Sequence, residues 1–274
     1  MLYFVAFMAL KHRIKPLLRA LGLMLLVTRL KYWRNYVLAY KQISAFKAEH
    51  HGLPLPPPYM LYIAYGLNYA NYLRDGEATA RWLKEKFEPH LPSKGTILDW
   101  GCGPARITRH LPAYFNGWEV IGTDYDPETI AWCQGALPHI QFKLNGLQPP
   151  LPIETSSVHA SISISIFTHL SAHAHHAWLE ELARVMAVGG LLFVTTQGKV
   201  FLEQMSSKEA AAFNNNELVI RATGPEGHKV YGAYHPEGFM RQFWEKYFEV
   251  IEHLPGQISG GKPIQDYWIL KRKP

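Results

Sequence analysis

The stretch ILDWGCGPARI, Ile97–Ile107, sets a β-type run, an acid at its end and a Gly-x-Gly pair leading toward a helix. Glycines are needed where the backbone turns sharply and a ligand comes close to the main chain, and open α/β sheets bind ligands at the carboxyl ends of their strands. A dinucleotide fingerprint would need a third glycine three residues after Gly103, where Arg106 stands. The tight helix–phosphate approach of that motif is therefore not encoded. Asp99, an acid placed before the glycines, instead suits a ligand with an amino group and no pyrophosphate.

Around this stretch, apolar β-type runs alternate with helical ones, the pattern of βαβ units on a parallel sheet. Strands are expected at 96–99, 119–123, 140–144, 160–167 and 190–196, with helices at 105–114, 127–135 and 172–187. An Asn-rich tip at 214–216 accompanies a hairpin of ELVIRAT and HKVYGAY around Gly224-Pro225; a helix near 237–246 and strands at 248–253 and 266–271 close the chain. Upstream, residues 59–87 read as helical, with a break at Asp75-Gly76 and a stop at Pro89 and Pro92. VIGTDYDP, 120–127, puts Asp124 at the end of the second strand, 21 residues past Gly103. A carboxylate there accepts hydrogen bonds from two vicinal ribose hydroxyls, while Asp126, before Pro127, reads as the N-cap of the next helix.

Asp99, Gly101 and Gly103 in the order D-x-G-x-G, followed by Asp124, resemble the class I S-adenosylmethionine-dependent methyltransferases, and the resemblance covers roughly residues 53–272. It implies an α/β fold with a Rossmann-like, seven-stranded, mostly parallel sheet, an antiparallel last strand, helices on both faces and an N-terminal helical extension. It also implies S-adenosyl-L-methionine as cofactor. Asp99, Gly101, Cys102 and Gly103 would hold the methionine part, with Asp124 and its neighbour Tyr125 at the ribose. Asn145 and Gly146 would follow the third strand, Asn145 standing where the family has an Asp against the adenine amino group. Ile166 and Phe167 would follow the fourth.

ISIFTHLSAHAHHAWLEELARVMAVGGLLFVTTQG, 164–198, is similar to the small-molecule and glycan-type members. In that resemblance Thr168 and His169 flank the sulfonium and the acceptor. His169 is then a candidate general base for a hydroxyl acceptor, because an ordinary histidine titrates near neutrality; the alternative is a capping or packing histidine. YGAYHPEGFMRQFWEKYFEVIEHLPG and QDYWILKR resemble the subgroup's ending, where a hairpin and the last two strands cover the acceptor. Tyr231, Tyr234, Gln265 and Asp266, with Tyr65 and Thr168, are candidates for that pocket, and His235 is a second candidate base. PPPYMLYIAYGLNYANYLRDG, 56–76, resembles the helix that caps the cofactor. His169, His173, His175 and His176 invite a metal, yet no carboxylate or cysteine completes a set, so none is expected.

With 274 residues and 48% hydrophobic content the chain suits one substantial domain with an appendage. Residues 1–50 hold nine Lys/Arg against Glu49 alone, so of the formal charge of +6 they carry +8 and leave −2 for the rest. A domain at −2 lacks the phosphate-neutralising face of a nucleic-acid enzyme, and nucleic acid is not an expected partner. The arm alternates MLYFVAFMAL, KHRIK, PLLRALGLMLLVTRL and KYWR, and neither apolar run reaches the roughly 18–20 uncharged residues that span a bilayer. No charged n-region or cleavage site marks a signal peptide. Amphipathic helices lying on an anionic membrane surface suit this composition, the alternatives being a helix docked on the domain or a start codon set too far upstream. Cys102 and Cys133 are too few for a disulfide framework, which points to a reducing, cytoplasmic setting, peripheral at the inner membrane face.

The expected organisation is a basic helical arm at 1–51, a helical cap at 52–92 entered through the proline-rich linker Gly52–Met60, and a catalytic domain at 93–274 with a cover hairpin at about 216–235. The expected function is methyl transfer to a small-molecule, glycan or lipid-linked acceptor. The rival reading is a catalytically inactive, membrane-recruited scaffold, against which the intact Asp99, Gly101, Gly103 and Asp124 argue. Arg106 argues against a nicotinamide-dependent oxidoreductase.

Overall fold

Consecutive prolines, which cannot continue a helix, shape the entry to the fold in the computed structural model, which describes residues 23–274. Helix α1 (Met24–Glu49) ends before them, and Pro58 opens α2 (Pro58–Ala64) at a position where its missing N–H costs nothing. Helix α3 (Tyr69–Phe87) follows, capped by Asn68, whose side chain accepts from the Asn71 N–H at 2.9 Å. Residues Ile43, Leu61, Tyr69 and Tyr72 join these three helices in one small apolar cluster. The expected linker thus turns the chain, and α1 lies back on α2 and α3. The arm's first 22 residues lie outside the described residues.

The expected break at Asp75-Gly76 is absent, because α3 runs through it without interruption. Gly76 answers to packing: a Cβ at that position would stand 2.0 Å from the backbone oxygen of Arg106. Glycine here lets the helix touch the loop that follows the first strand.

Strand β1 (Thr96–Trp100) leads into that loop. The helix expected at 105–114 is broken in two, a 3-10 turn at Thr108–His110 and the short α4 (Leu111–Tyr114). Pro112 accounts for this, since its ring would collide with the carbonyl four residues back in a continuous helix but fits the first turn of a new one. β2 (Glu119–Asp124), α5 (Pro127–Ala136), β3 (Gln141–Leu144) and β4 (Val158–Ser163) follow. β4 stops four residues short of its expected end, as Ser165 takes a left-handed φ of 64° and Phe167–His169 form a 3-10 turn. α6 (Ala172–Val185) leads to β5 (Met186–Thr196), which starts earlier than the expected Gly190 and pairs with β4 through a bulge between Val158 and Ala160.

The remainder comprises α7 (Ser207–Asn214), the hairpin of β6 (Val219–Ala222) and β7 (Tyr231–Tyr234), α8 (Glu237–Glu245), β8 (Phe248–Leu254), a small ribbon of β9 (Ile258–Ser259) and β10 (Lys262–Pro263), and β11 (Asp266–Arg272). The main sheet has seven strands in the order β3-β2-β1-β4-β5-β11-β8. β11 alone runs against its neighbours, antiparallel to both β5 and β8, as expected of the last strand. Alternation along each strand feeds two cores: Leu98, Trp100, Val194 and Trp268 face α6 and α8, whereas Ile97, Ile162, Phe193 and Ile269 face α3, α4 and α5. The strand order reverses at β1 and β4, which opens a crevice at their carboxyl ends.

Helix α1 keeps one unpaired face. Leu26, Leu30, Trp33, Val37 and Tyr40, spaced four and three residues apart, form a stripe whose members are 54–70% exposed. Arg29 stands on one side of it and Arg34 with Lys41 on the other. No helix among the described residues is long and apolar enough to cross a membrane.

Candidate active site

The loop after β1 is held from below by β2. The N–H groups of Gly101 and Cys102 both donate to the Thr123 carbonyl, at 2.8 and 2.9 Å, and the Gly103 N–H donates to Asp124 Oδ2 at 2.9 Å. Gly101 and Gly103 have φ of 75° and 51°, left-handed values that a side chain would strain. A Cβ on Gly101 would meet Ile166 Cδ1 at 2.0 Å, so glycine is what allows the residue after β4 to close down on this loop.

Two buried carboxylates lie at the strand ends. Asp99 accepts from the Thr108 hydroxyl at 2.6 Å. Burial pushes its carboxyl up to about 6, against the pull of that hydrogen bond and of the Arg106 charge. Asp124 takes the Gly103 N–H on one oxygen and the Asp126 N–H, at 2.9 Å, on the other, leaving a lone pair on each. Burial raises its pKa too, and these backbone donors offset part of the rise. Asp126 caps α5 by accepting from the Thr129 N–H at 3.2 Å. Beyond β3, the Asn145 N–H donates to the Asp124 carbonyl at 3.0 Å, and its Nδ2 donates to the Gly146 carbonyl at 2.6 Å. Asn145 Oδ1 is buried with no hydrogen-bond partner.

Of these residues Gly101, Asp124, Asn145 and Gly146 line a cleft together with Trp100, Tyr125, Ile166 and His169, whereas Asp99 and Gly103 lie behind its wall. Its roof is the β6–β7 loop: the Gly227 N–H donates to the His169 carbonyl at 2.9 Å, Tyr125 Oη donates to the Gly227 carbonyl at 3.3 Å, and Glu226 Oε1 accepts from the Ser171 N–H at 2.6 Å. Gly227 and the lining residues Leu147, Leu170 and Trp178 were not legible as site residues, although the turn Gly224-Pro225-Glu226-Gly227 marked where the roof would be.

His169 borders the cleft. Its Nδ1 lies 2.8 Å from the Tyr231 carbonyl, which can only accept, so Nδ1 carries the proton and Nε2 keeps its lone pair. Burial lowers the pKa of the ring, partly countered by that hydrogen bond. His235 is placed differently. Its ring is buried, Nδ1 accepts from the Gln197 N–H at 3.3 Å and Nε2 faces His175 Nε2 at 3.0 Å, so neither nitrogen opens onto the cleft. Burial and the neighbouring His175 hold its pKa well below the usual histidine range.

The other expected residues divide in the same way. Phe167 is turned into the core against Trp100, Phe243 and Trp244 and does not line the cleft. Thr168 is buried and donates to the Ser165 carbonyl at 2.6 Å; Cys102 is buried beside Gly103. Tyr234 packs with Phe201, Phe213 and Val219, with its hydroxyl 2.5 Å from Arg221. Tyr65 hydrogen-bonds Asp75 and lies 4.9 Å beneath the Arg106 guanidinium. Asp266 accepts from the Gly256 N–H at 2.8 Å and pairs with His253 at 3.2 Å, a buried contact that fixes the β8–β11 end. Gln265 alone of this group lines a second cavity, beside α3. Among the described residues no three His, Cys, Asp or Glu side chains converge as a metal site.

Comparison with known proteins agrees with this geometry. Residues 97–190 match the family described as a methyltransferase domain. A probable S-adenosylmethionine-dependent methyltransferase of Mycolicibacterium smegmatis is 25% identical over 149 residues, 52% of this chain and 56% of that protein. Trans-aconitate 2-methyltransferase of Rhizobium meliloti is 30% identical over 106 residues, 39% of each chain. The matches thus span about half or less of these relatives. Among solved structures, an S-adenosylmethionine-dependent methyltransferase from Mesorhizobium loti superposes with a TM-score of 0.55 at 15% identity, covering 72% of this chain and all of that one. One from Methanosarcina mazei gives 0.54 at 17%, covering 69% and 97%. The chain carries a class I, Rossmann-like methyltransferase domain, of the kind whose cofactor is S-adenosylmethionine.

Proposed function

We propose that the protein transfers a methyl group from S-adenosylmethionine to a small-molecule, glycan or lipid-linked acceptor. The observation that carries this is the unpartnered, buried Asn145 Oδ1 on the same cleft as Asp124. A buried acceptor atom without a donor costs about 1–3 kcal/mol, a cost that an adenine amino group would remove. Asp124 has two lone pairs left for ribose hydroxyls, and the loop at Gly101 and Gly103 leaves room that a side chain would fill. An ammonium group at this end of the sheet would relieve the buried charges of Asp99 and Asp124.

The cofactor supplies a methyl group already activated on a sulfonium, so the protein has mainly to align, desolvate and accept a proton. For a hydroxyl acceptor, His169 takes that proton on Nε2. The Tyr231 carbonyl fixes the ring for this by holding the Nδ1 proton.

The exposed stripe of α1, with Trp33 and Tyr40 among leucines and with Arg29, Arg34 and Lys41 beside it, supports a second part of the proposal. This helix rests on an anionic membrane surface, on the cytoplasmic side, through its exposed apolar stripe and the basic residues that flank it. Co-sedimentation with phosphatidylglycerol vesicles but not phosphatidylcholine vesicles, lost in Trp33→Glu, is the expected result. Equal retention by both, or by neither, removes this part.

The core reading is tested by calorimetric titration with S-adenosylmethionine and S-adenosylhomocysteine, wild type against Asp124→Ala. Binding that the variant loses is the expected result. A well-folded wild-type protein that binds neither ligand overturns the enzyme reading in favour of a scaffold.

A further inference from the structure

The cavity that Gln265 borders is an open groove of about 740 Å³ between α3 and the carboxyl end of β5. Trp82, Phe193 and Tyr267 form an aromatic corner there: Trp82 packs edge-on to Phe193 at 5.3 Å and to Tyr267 at 5.2 Å. Ala78, Ile164, Leu254 and Ile264 extend the apolar wall. Asp75 is the sole charged residue of the lining, and its carboxylate is taken up by Arg74 and Tyr65.

The groove and the cleft meet across three consecutive residues. Ile164 lines the groove, Ile166 lines the cleft, and Ser165 stands between them in its left-handed conformation. Such a conformation costs of order 1–3 kcal/mol in a residue with a side chain and persists only where surroundings over-determine it. Here the Ser165 N–H donates to Thr195 Oγ1 at 2.8 Å, its hydroxyl donates to Gln265 Oε1 at 3.0 Å, and its carbonyl accepts from Thr168 at 2.6 Å. Thr195 also donates to Gln265 Oε1, at 2.6 Å. Both hydroxyl donors therefore use the amide oxygen, which leaves the Gln265 Nε2–H₂ without a protein partner on the wall of a mainly apolar groove.

We infer that this groove holds the apolar body of the methyl acceptor, and that the acceptor is an uncharged molecule whose hydroxyl oxygen accepts from Gln265 Nε2 where the groove meets the cleft; the O–CH₃ bond forms as the S–CH₃ bond of the cofactor breaks, and the hydroxyl proton passes to His169 Nε2 on the cleft side. The inference rests on the methyltransferase reading above. With no cation in the lining, a carboxylate or phosphate would find no charge partner here, whereas aromatic and aliphatic walls suit an apolar body.

The test uses the full chain saturated with S-adenosylhomocysteine and three probes: 2-naphthol, 2-naphthoate and naphthalene. Calorimetry is expected to give saturable 2-naphthol binding, with 2-naphthoate at least tenfold weaker. Ala78→Arg, which sends a long charged side chain from an exposed position of α3 into the groove, is expected to weaken 2-naphthol at least tenfold with S-adenosylhomocysteine affinity unchanged. Gln265→Leu should bring 2-naphthol down to the affinity of naphthalene. The inference is overturned if 2-naphthol is indifferent to Ala78→Arg, if naphthoate binds as tightly, or if S-adenosylhomocysteine binds and 2-naphthol does not. Failure of S-adenosylhomocysteine to bind the wild type is a separate result: it removes the cofactor reading, and the groove then has no methyl donor to serve.

Discussion

Gly76 in the middle of α3 touches the backbone of Arg106, so closely that a single added carbon would lie 2.0 Å from the Arg106 carbonyl oxygen. Two segments 30 residues apart in sequence are thereby locked, and the glycine-rich loop inherits its position from the helix. Gly76→Ala should gain about 1 kcal/mol in helix propensity and lose about 1–3 kcal/mol to overpacking against a backbone that cannot yield. The expected balance is a Tm lower by several degrees in thermal denaturation, with weaker S-adenosylhomocysteine binding because the loop is displaced. An unchanged Tm would mean that the loop yields.

Asn145→Leu separates stability from binding. Removing an unsatisfied buried oxygen relieves the free protein, so its Tm is expected to hold or rise, while affinity for S-adenosylhomocysteine falls at least about tenfold for the lost hydrogen bond. Differential scanning fluorimetry with and without ligand reads both effects. A variant that keeps the ligand-induced Tm shift of the wild type would show that Asn145 faces no ligand.

His169→Gln should keep S-adenosylhomocysteine binding and lower kcat by about 10²–10⁴-fold for a hydroxyl acceptor. In the wild type, burial lowers the His169 pKa, so Nε2 is unprotonated at neutral pH and kcat/KM falls at a lower pH than an ordinary histidine would give. The pH profile of the wild type, absent in the variant, is the measurement.

The buried His175–His235 pair makes stability sensitive to acid. Burial lowers the His175 pKa to about 4, and that of His235 goes well below the usual value. Between the ordinary histidine pKa near 6.5 and that lower value the unfolded chain binds protons that the folded chain refuses, so stability falls as pH falls across this window. Asp99, raised to about 6, works in the opposite sense, its folded form holding a proton that the unfolded chain has released. Urea titrations at several pH values should give a slope of stability against pH that is shallower in the His175→Gln, His235→Gln double variant. An identical slope would assign the acid sensitivity elsewhere.

Local chemistry made much of this molecule readable. The Gly-x-Gly pair with its flanking acid, the alternation of strands and helices, and Asp126 before Pro127 each act within a few residues, and the sheet and its ligand end follow from them. Gly76 was misread because a glycine that breaks a helix and one that allows a close contact look alike until the partner, Arg106, is known. Ser206-x-x-Glu209 closes a full capping box on α7, a signal confined to four residues. The roof residue Gly227 and the groove residues Trp82 and Phe193 come together only through the tertiary fold. His235 and His169 illustrate the same limit, being equal as histidines and distinguished by what surrounds their nitrogens.

The roof over the cleft is tied by Gly227 to His169, by Tyr125 to Gly227 and by Glu226 to Ser171, and each tie is a single hydrogen bond. Three weak ties are easily broken one at a time, so a molecule beneath the hairpin would leave faster whenever they open, and loop motion would then bear on turnover independently of the reactivity of the acceptor.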